Sequence, residues 1–115
     1  MAKKLVVDSS VVVKWISSQN EKNLAQADKI LKDAQNGDIE IYTSELAKFE
    51  IGNALLKGKA LGLPQAYASL GTVYSLPITF VSETENLAKT TYVLGQQLNI
   101  TYYDASFLAI AKFYR

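Results

Sequence analysis

The chain has 115 residues, 49% of them hydrophobic, no cysteine, no histidine, and a formal charge of +1 from 12 Lys+Arg against 11 Asp+Glu. That length and apolar content predict one domain, residues 1–115, with a real core, and the near-neutral balance excludes a bulk basic field that would bind nucleic acid indiscriminately. Without His or Cys the chain builds no disulfide, no thiolate or histidine zinc site, no Ser-His triad and no Cys-His dyad, so only hard oxygen ligands remain for a metal.

Lys4 to Val7 reads as a short β-branched strand that stops on Asp8, followed by a short helix from about Val11 to Ser17 and a polar loop over Ser17 to Asn20. An amphipathic helix is predicted from about Asn23 to Asn36, with Leu24, Ala27, Leu31 and Ala34 on one stripe and Gly37 as its stop. Ile39 to Thr43 alternates as a strand, with Ile39, Ile41 and Thr43 on one face and Glu40 and Tyr42 on the other. Ser44 caps a helix to about Lys57 with Leu46, Phe49, Asn53 and Leu56 along one stripe, ended by Gly58 or Gly62.

Pro64 suits the first turn of a helix to about Ser75, and Pro77 opens a strand from Ile78 to Val81. Ser82 and Glu85 have capping-box spacing before a helix through Leu98, with Asn99 at its end. A final helix starts near Tyr102 and carries Phe107, Leu108, Ala111 and Phe113 to the last residue. The order βααβααβαα calls for a parallel sheet covered on both faces, a three-layer α/β/α sandwich. Right-handed crossovers bring the strand carboxyl ends to one edge. No stretch approaches the ~20 apolar residues that span a bilayer. Asp8, Ser9, Ser10 and Lys14 interrupt the signal-like run after Lys3-Lys4, so a soluble cytoplasmic protein without membrane contact is expected.

Asp8 is the leading candidate for chemistry, because a carboxylate at the carboxyl end of a buried strand stands where α/β folds place ligands. Glu50 and Asp104 lie near the starts of two later helices, and three converging acids would hold a divalent cation. Each has a simpler role open to it: Asp8 as an N-cap, Glu50 as a solvated helical residue, Asp104 as a first-turn acid three residues after Thr101. Glu45, Glu83 and Glu85 read as acids facing helix dipoles.

LVVDSSVVVKW, EIGNAL and YYDASFLAIA, in this order and separation, resemble the PIN domain family, in particular the VapC-type toxin ribonucleases of type II toxin-antitoxin systems. The resemblance runs from Lys4 to Arg115. It implies a Rossmann-like sandwich and an endoribonuclease dependent on Mg²⁺ or Mn²⁺, with Asp8, Glu50 and Asp104 as catalytic acids and metal ligands. Ser10 would support the metal or phosphate, and Asn53 would orient Glu50. The implied partners are an RNA substrate, a cognate antitoxin that blocks the acidic groove, and a second copy in a homodimer or higher oligomer.

Family members continue after the YDA helix with a strand that carries a fourth acid, which this sequence does not reach. The first strand, central in the family, is therefore expected at a sheet edge here, covered by another chain or an exchanged element. At least one weak Mg²⁺ site is expected. Lys14, Lys48, Lys57 and Lys59 are candidate phosphate contacts, while Trp15, Tyr102 and Tyr103 are assigned to the core rather than to base stacking. The competing readings are a PIN-fold interaction module with an impaired pocket, a receiver-type phosphoacceptor, which would want adjacent acids after the first strand, and a nucleotide-binding fold, which would want glycine in the first strand-helix turn.

Overall fold

The computed structural model describes residues 2–17 and 21–114. The strands β1 (Lys3–Val6), β2 (Ile39–Ser44) and β3 (Ile78–Val81) are short, β-branched and bounded by polar turns. They form a parallel sheet in the order β1-β2-β3, with Leu5 opposite Ile41 and Ile41 opposite Ile78. β1 is thus an edge strand, as expected, and its Lys3 and Lys4 are exposed.

The helices are α1 (Ser9–Ile16), α2 (Leu24–Gln35), α3 (Leu46–Asn53), α4 (Leu63–Ser75), α5 (Glu85–Leu98) and α6 (Tyr102–Phe113). The loop predicted over Ser17 to Asn20 lies, apart from Ser17, outside the described residues, as does the predicted final helical residue, Arg115. Because the strands step in one direction, crossovers of one hand leave α1 to α4 on the same face. There Val7, Ile41, Val12, Val13, Ala47, Ile51, Leu55 and Val73 make the larger core, with Leu5, Ile39, Ile78 and Phe80 packed against it. The alternate residues Val6, Tyr42 and Val81 point to the other face and meet Leu87, Ala109, Ile110 and Leu94 of α5 and α6. Ile41 is the hub of the first layer at 1% exposure, a burial that contributes about 1.5–3 kcal/mol. After β3 the chain crosses back, so α6 packs on β2 and β1.

Three local expectations change. α3 buries Ala47 and Ile51, followed by Leu55, while Phe49 (78% exposed) and Leu56 face outward. The predicted stripe of Leu46, Phe49, Asn53 and Leu56 is therefore not the buried one, because spacing by four aligns Ala47, Ile51 and Leu55 under the sheet. The predicted continuous helix also gives way at Ala54–Gly58 to a π turn, closed by Lys59 N–H to the Ala54 carbonyl at 2.9 Å. The extra residue in that turn keeps Leu55 buried and brings Lys59 to Glu21, a 2.8 Å ion pair. At α5 the cap is Thr84, whose Oγ1 accepts from Leu87 N–H at 3.2 Å, and not Ser82. Both residues can cap, but the chain stays non-helical from Ser82 to Thr84 after β3 ends at Val81, whose carbonyl accepts from Glu45 N–H.

In α6 the buried residues are Ala105, Ser106, Ala109 and Ile110; Phe107 is partly buried against the larger core, while Leu108, Ala111 and Phe113 are exposed. Small residues win that face because α5 approaches closely: a Cβ on Gly95 would lie 3.6 Å from the Ala105 Cβ and 3.4 Å from the Ile100 carbonyl. Gly37 (φ 84°) and Asn99 (φ 53°) end α2 and α5 in the left-handed conformation, as their positions predicted. Among the described residues no helix is long and apolar enough to cross a membrane.

Candidate functional site

Asp8 stands just past β1, where Val7 N–H still donates to the Tyr42 carbonyl at 3.0 Å. The Thr43 hydroxyl, buried, donates to the Val7 carbonyl at 2.6 Å, so the backbone is pinned on both sides up to Asp8. The Asp8 carboxylate then caps α1. Its Oδ1 accepts from Ser10 N–H at 3.1 Å and from the Ser10 hydroxyl at 2.5 Å. Capping and ligand roles are compatible, since both bonds fall on one oxygen and Asp8 is exposed.

Glu50 sits on α3 beside the buried Ile51, and its Oε1 is buried without a hydrogen-bond partner among the described residues. An unsatisfied buried carboxylate oxygen costs about 1–3 kcal/mol, and such atoms call for an ion or a function to explain them. Asn53, one turn on, is exposed and does not bond that oxygen. Asp104 lies exposed in the first turn of α6, its N–H donating to Thr101 Oγ1 at 3.0 Å. The Thr101 cap is the spacing noticed in the sequence.

The three acids come from both sides of the sheet: Glu50 from the α1–α4 layer, Asp104 from the α5–α6 layer, and Asp8 from the strand end between. Among the described residues no group of three or more acids stands close enough to hold one ion. The donor chemistry nevertheless suits a hard cation. All three are carboxylates, and the inward-facing Glu50 Oε1 has no hydrogen-bond donor.

The candidate phosphate contacts divide. Lys14 and Lys59 both pair with Glu21, at 2.9 and 2.8 Å, and the Lys59 side chain is almost buried. These bonds, that of Lys59 first, hold the Glu21 carboxyl below the usual range despite its partial burial. Lys48 pairs with Glu45 and lies over the Phe80 ring, whereas Lys57 is exposed on the π turn. Trp15 joins the main core as assigned, its Nε1–H donating to the Ala27 carbonyl at 2.6 Å.

Tyr102 and Tyr103 do not join the core. Both are exposed, Tyr103 at 58%. The Tyr102 hydroxyl donates to Glu83 at 2.5 Å, and that charge-assisted bond raises the Tyr102 pKa to about 12. Sequence reasoning placed Glu83 at a helix dipole and missed this pair, which joins the residue before the Thr84 cap of α5 to the first residue of α6.

No curated protein matches the chain. The PIN domain model matches residues 5–115, nearly the full length, so the chain belongs to the PIN domain family, whose members are generally nucleases.

Proposed function

We propose that the protein is a metal-dependent endoribonuclease acting as the toxin of a toxin-antitoxin pair. The observation that carries the reading is the buried Glu50 Oε1, without a hydrogen-bond partner among the described residues, on the helix α3 that packs against α1, the helix that Asp8 caps. Asp8, Glu50 and Asp104 do not stand close enough in this arrangement to share one ion, so holding Mg²⁺ or Mn²⁺ through their oxygens would require the three carboxylates to draw together. When bound, such an ion supplies positive charge for the phosphate and for the leaving oxygen of a phosphodiester.

The chain's own residues do the positioning. Ser10 fixes Asp8 by two bonds to Oδ1, and the Thr43 to Val7 bond fixes the backbone beneath it. In hydrolysis a water oxygen bonds to phosphorus, one P–O ester bond breaks, and the departing ribose oxygen takes a proton. Exposed Phe49, Leu56, Leu63, Tyr67 and Tyr74 on α3, the π turn and α4 support an antitoxin or a second copy as partner, and the open β1 edge supports a covering strand. The setting we infer is the cytoplasm.

The test is cleavage of end-labelled RNA with Mn²⁺ titrated, beside Asp8→Asn. Metal-dependent cleavage lost in the variant is expected; cleavage indifferent to Asp8→Asn or to chelator would sink the reading. A second reading, a PIN-fold interaction module without catalysis, is favoured by the absence of a three-acid group among the described residues. It predicts no cleavage at any Mn²⁺ concentration together with a stable assembly by light scattering, whereas a monomer would count against both partners.

A further inference from the structure

We infer that α5 and the start of α6 form a slot for an unpaired nucleobase of single-stranded RNA. This rests on the ribonuclease reading for its choice of ligand. The slot is a cavity of about 260 Å³ lined by Tyr92, Gly95, Gln96, Ile100 and Tyr102. That is slightly below the range of drug-sized ligand pockets, roughly 300–1,000 Å³, so it suits one planar ring system.

Its lining chemistry narrows the ligand. No cationic side chain lines it, and Glu83 is bonded to the Tyr102 hydroxyl, so a phosphate would meet negative charge and no counterion. A neutral ring instead meets two tyrosine side chains and the Gln96 residue, whose amide both donates and accepts. Stacking on tyrosine tolerates any base, because every base has a π face. The bond to Glu83 restrains the Tyr102 ring, which lowers the entropy lost on binding.

The surroundings supply what the slot lacks. Val93 and Gln97, each one residue beyond Tyr92 and Gln96 on α5, line a second cavity with Lys89 and Lys112. A strand draped over α5 would therefore meet aromatic rings on one flank and, on the other, the ammonium groups of Lys112 and of Lys89, the latter exposed and paired with Glu85 at 2.7 Å. That is the pairing of stacking with backbone charge that single-stranded nucleic acid requires. Asp104 follows Tyr102 by two residues in the same helical turn, so a base held here would anchor RNA beside one of the candidate acids.

The experiment measures binding of fluorescein-labelled rA8 and rU8 to the Asp8→Asn protein by anisotropy, with and without Tyr92→Ala. Tyr92 is 66% exposed, so its truncation leaves the core intact, and a circular-dichroism melt checks this. Tyr92→Ala is expected to weaken binding about tenfold, the order of one lost stacking contact. Tyr102→Phe, which keeps the ring, should weaken it less than Tyr102→Ala. In ¹⁵N spectra titrated with uridine monophosphate the amides of Gly95, Gln96 and Ile100 should shift.

Unchanged affinity in Tyr92→Ala, shifts confined to other elements, or equal binding of an RNA duplex would each overturn the slot. The readout is binding, so the two ideas fail separately. RNA cleavage without dependence on Tyr92 removes the slot alone. Tyr92-dependent binding without cleavage removes the nuclease and leaves the slot.

Discussion

The Thr43 hydroxyl donates a 2.6 Å hydrogen bond to the Val7 carbonyl at the point where the β1 ladder ends, one residue before Asp8. Thr43 is fully buried, so the bond lies in a low-dielectric layer where its loss strands an acceptor. Thr43→Val keeps the shape and removes the donor. It should destabilise the fold by about 1–3 kcal/mol in urea unfolding. If Asp8 is the central ligand, cleavage should fall by about 10- to 100-fold as the carboxylate loses its registration. A Thr43→Val protein of unchanged stability would show that the Val7 carbonyl finds another donor.

Glu50 makes the opposite prediction. Its buried Oε1 has no hydrogen-bond partner among the described residues, so the native carboxylate costs stability whenever no cation balances it. Glu50→Gln should raise the midpoint of unfolding measured in chelator, by about 1 kcal/mol, and abolish metal-dependent cleavage. Mn²⁺ should raise the melting temperature of the natural protein and not that of the variant. A variant that melts lower in chelator would mean that the carboxylate is satisfied in solution.

How much of this was legible depended on whether one period explained a segment. β2 was legible because Ile39, Ile41 and Thr43 alternate with Glu40 and Tyr42, and a period of two permits only one assignment of faces. α3 was not, because it carries apolar residues on two stripes, and only packing under the sheet selects Ala47, Ile51 and Leu55 over Phe49 and Leu56. The same limit applied to the site. Asp8 follows from a strand end and Ser10 only from the family resemblance, whereas the burial of Glu50 Oε1 depends on the face that α3 buries. The close contact of Gly95 with Ala105, which makes the small residues of α6 its buried face, is reported by no periodicity.

Ala60 closes the π turn with φ 50°, a left-handed conformation that costs a residue with a Cβ about 1–2 kcal/mol. Glycine removes that cost and gives back part of the gain through unfolded-state entropy. Ala60→Gly should therefore stabilise the protein by about 0.5–1 kcal/mol in thermal or urea unfolding. Ala60→Val should destabilise it, since branching at Cβ worsens the same clash. A loss of stability in Ala60→Gly would show that the turn relaxes in solution.

Glu21 joins Lys14 of α1 to Lys59 beyond the π turn, so one carboxylate ties the first helix to the segment that follows α3. The two ammonium groups hold its pKa below the usual glutamate range in the folded chain. A lowered folded pKa means that the unfolded state binds the proton more readily. The contribution is therefore complete above the unfolded value, about 4.3, and is lost as pH falls through the lower folded value. Glu21→Gln should be less stable than the natural protein at pH 7, and the gap should close towards pH 3 in paired urea titrations. Replacing Lys59 should cost more than replacing Lys14, since the Lys14 side chain retains 19% exposure while that of Lys59 retains only 7%. A gap between Glu21→Gln and the natural protein that stays constant from pH 7 to pH 3 would mean that the glutamate acts through packing rather than charge.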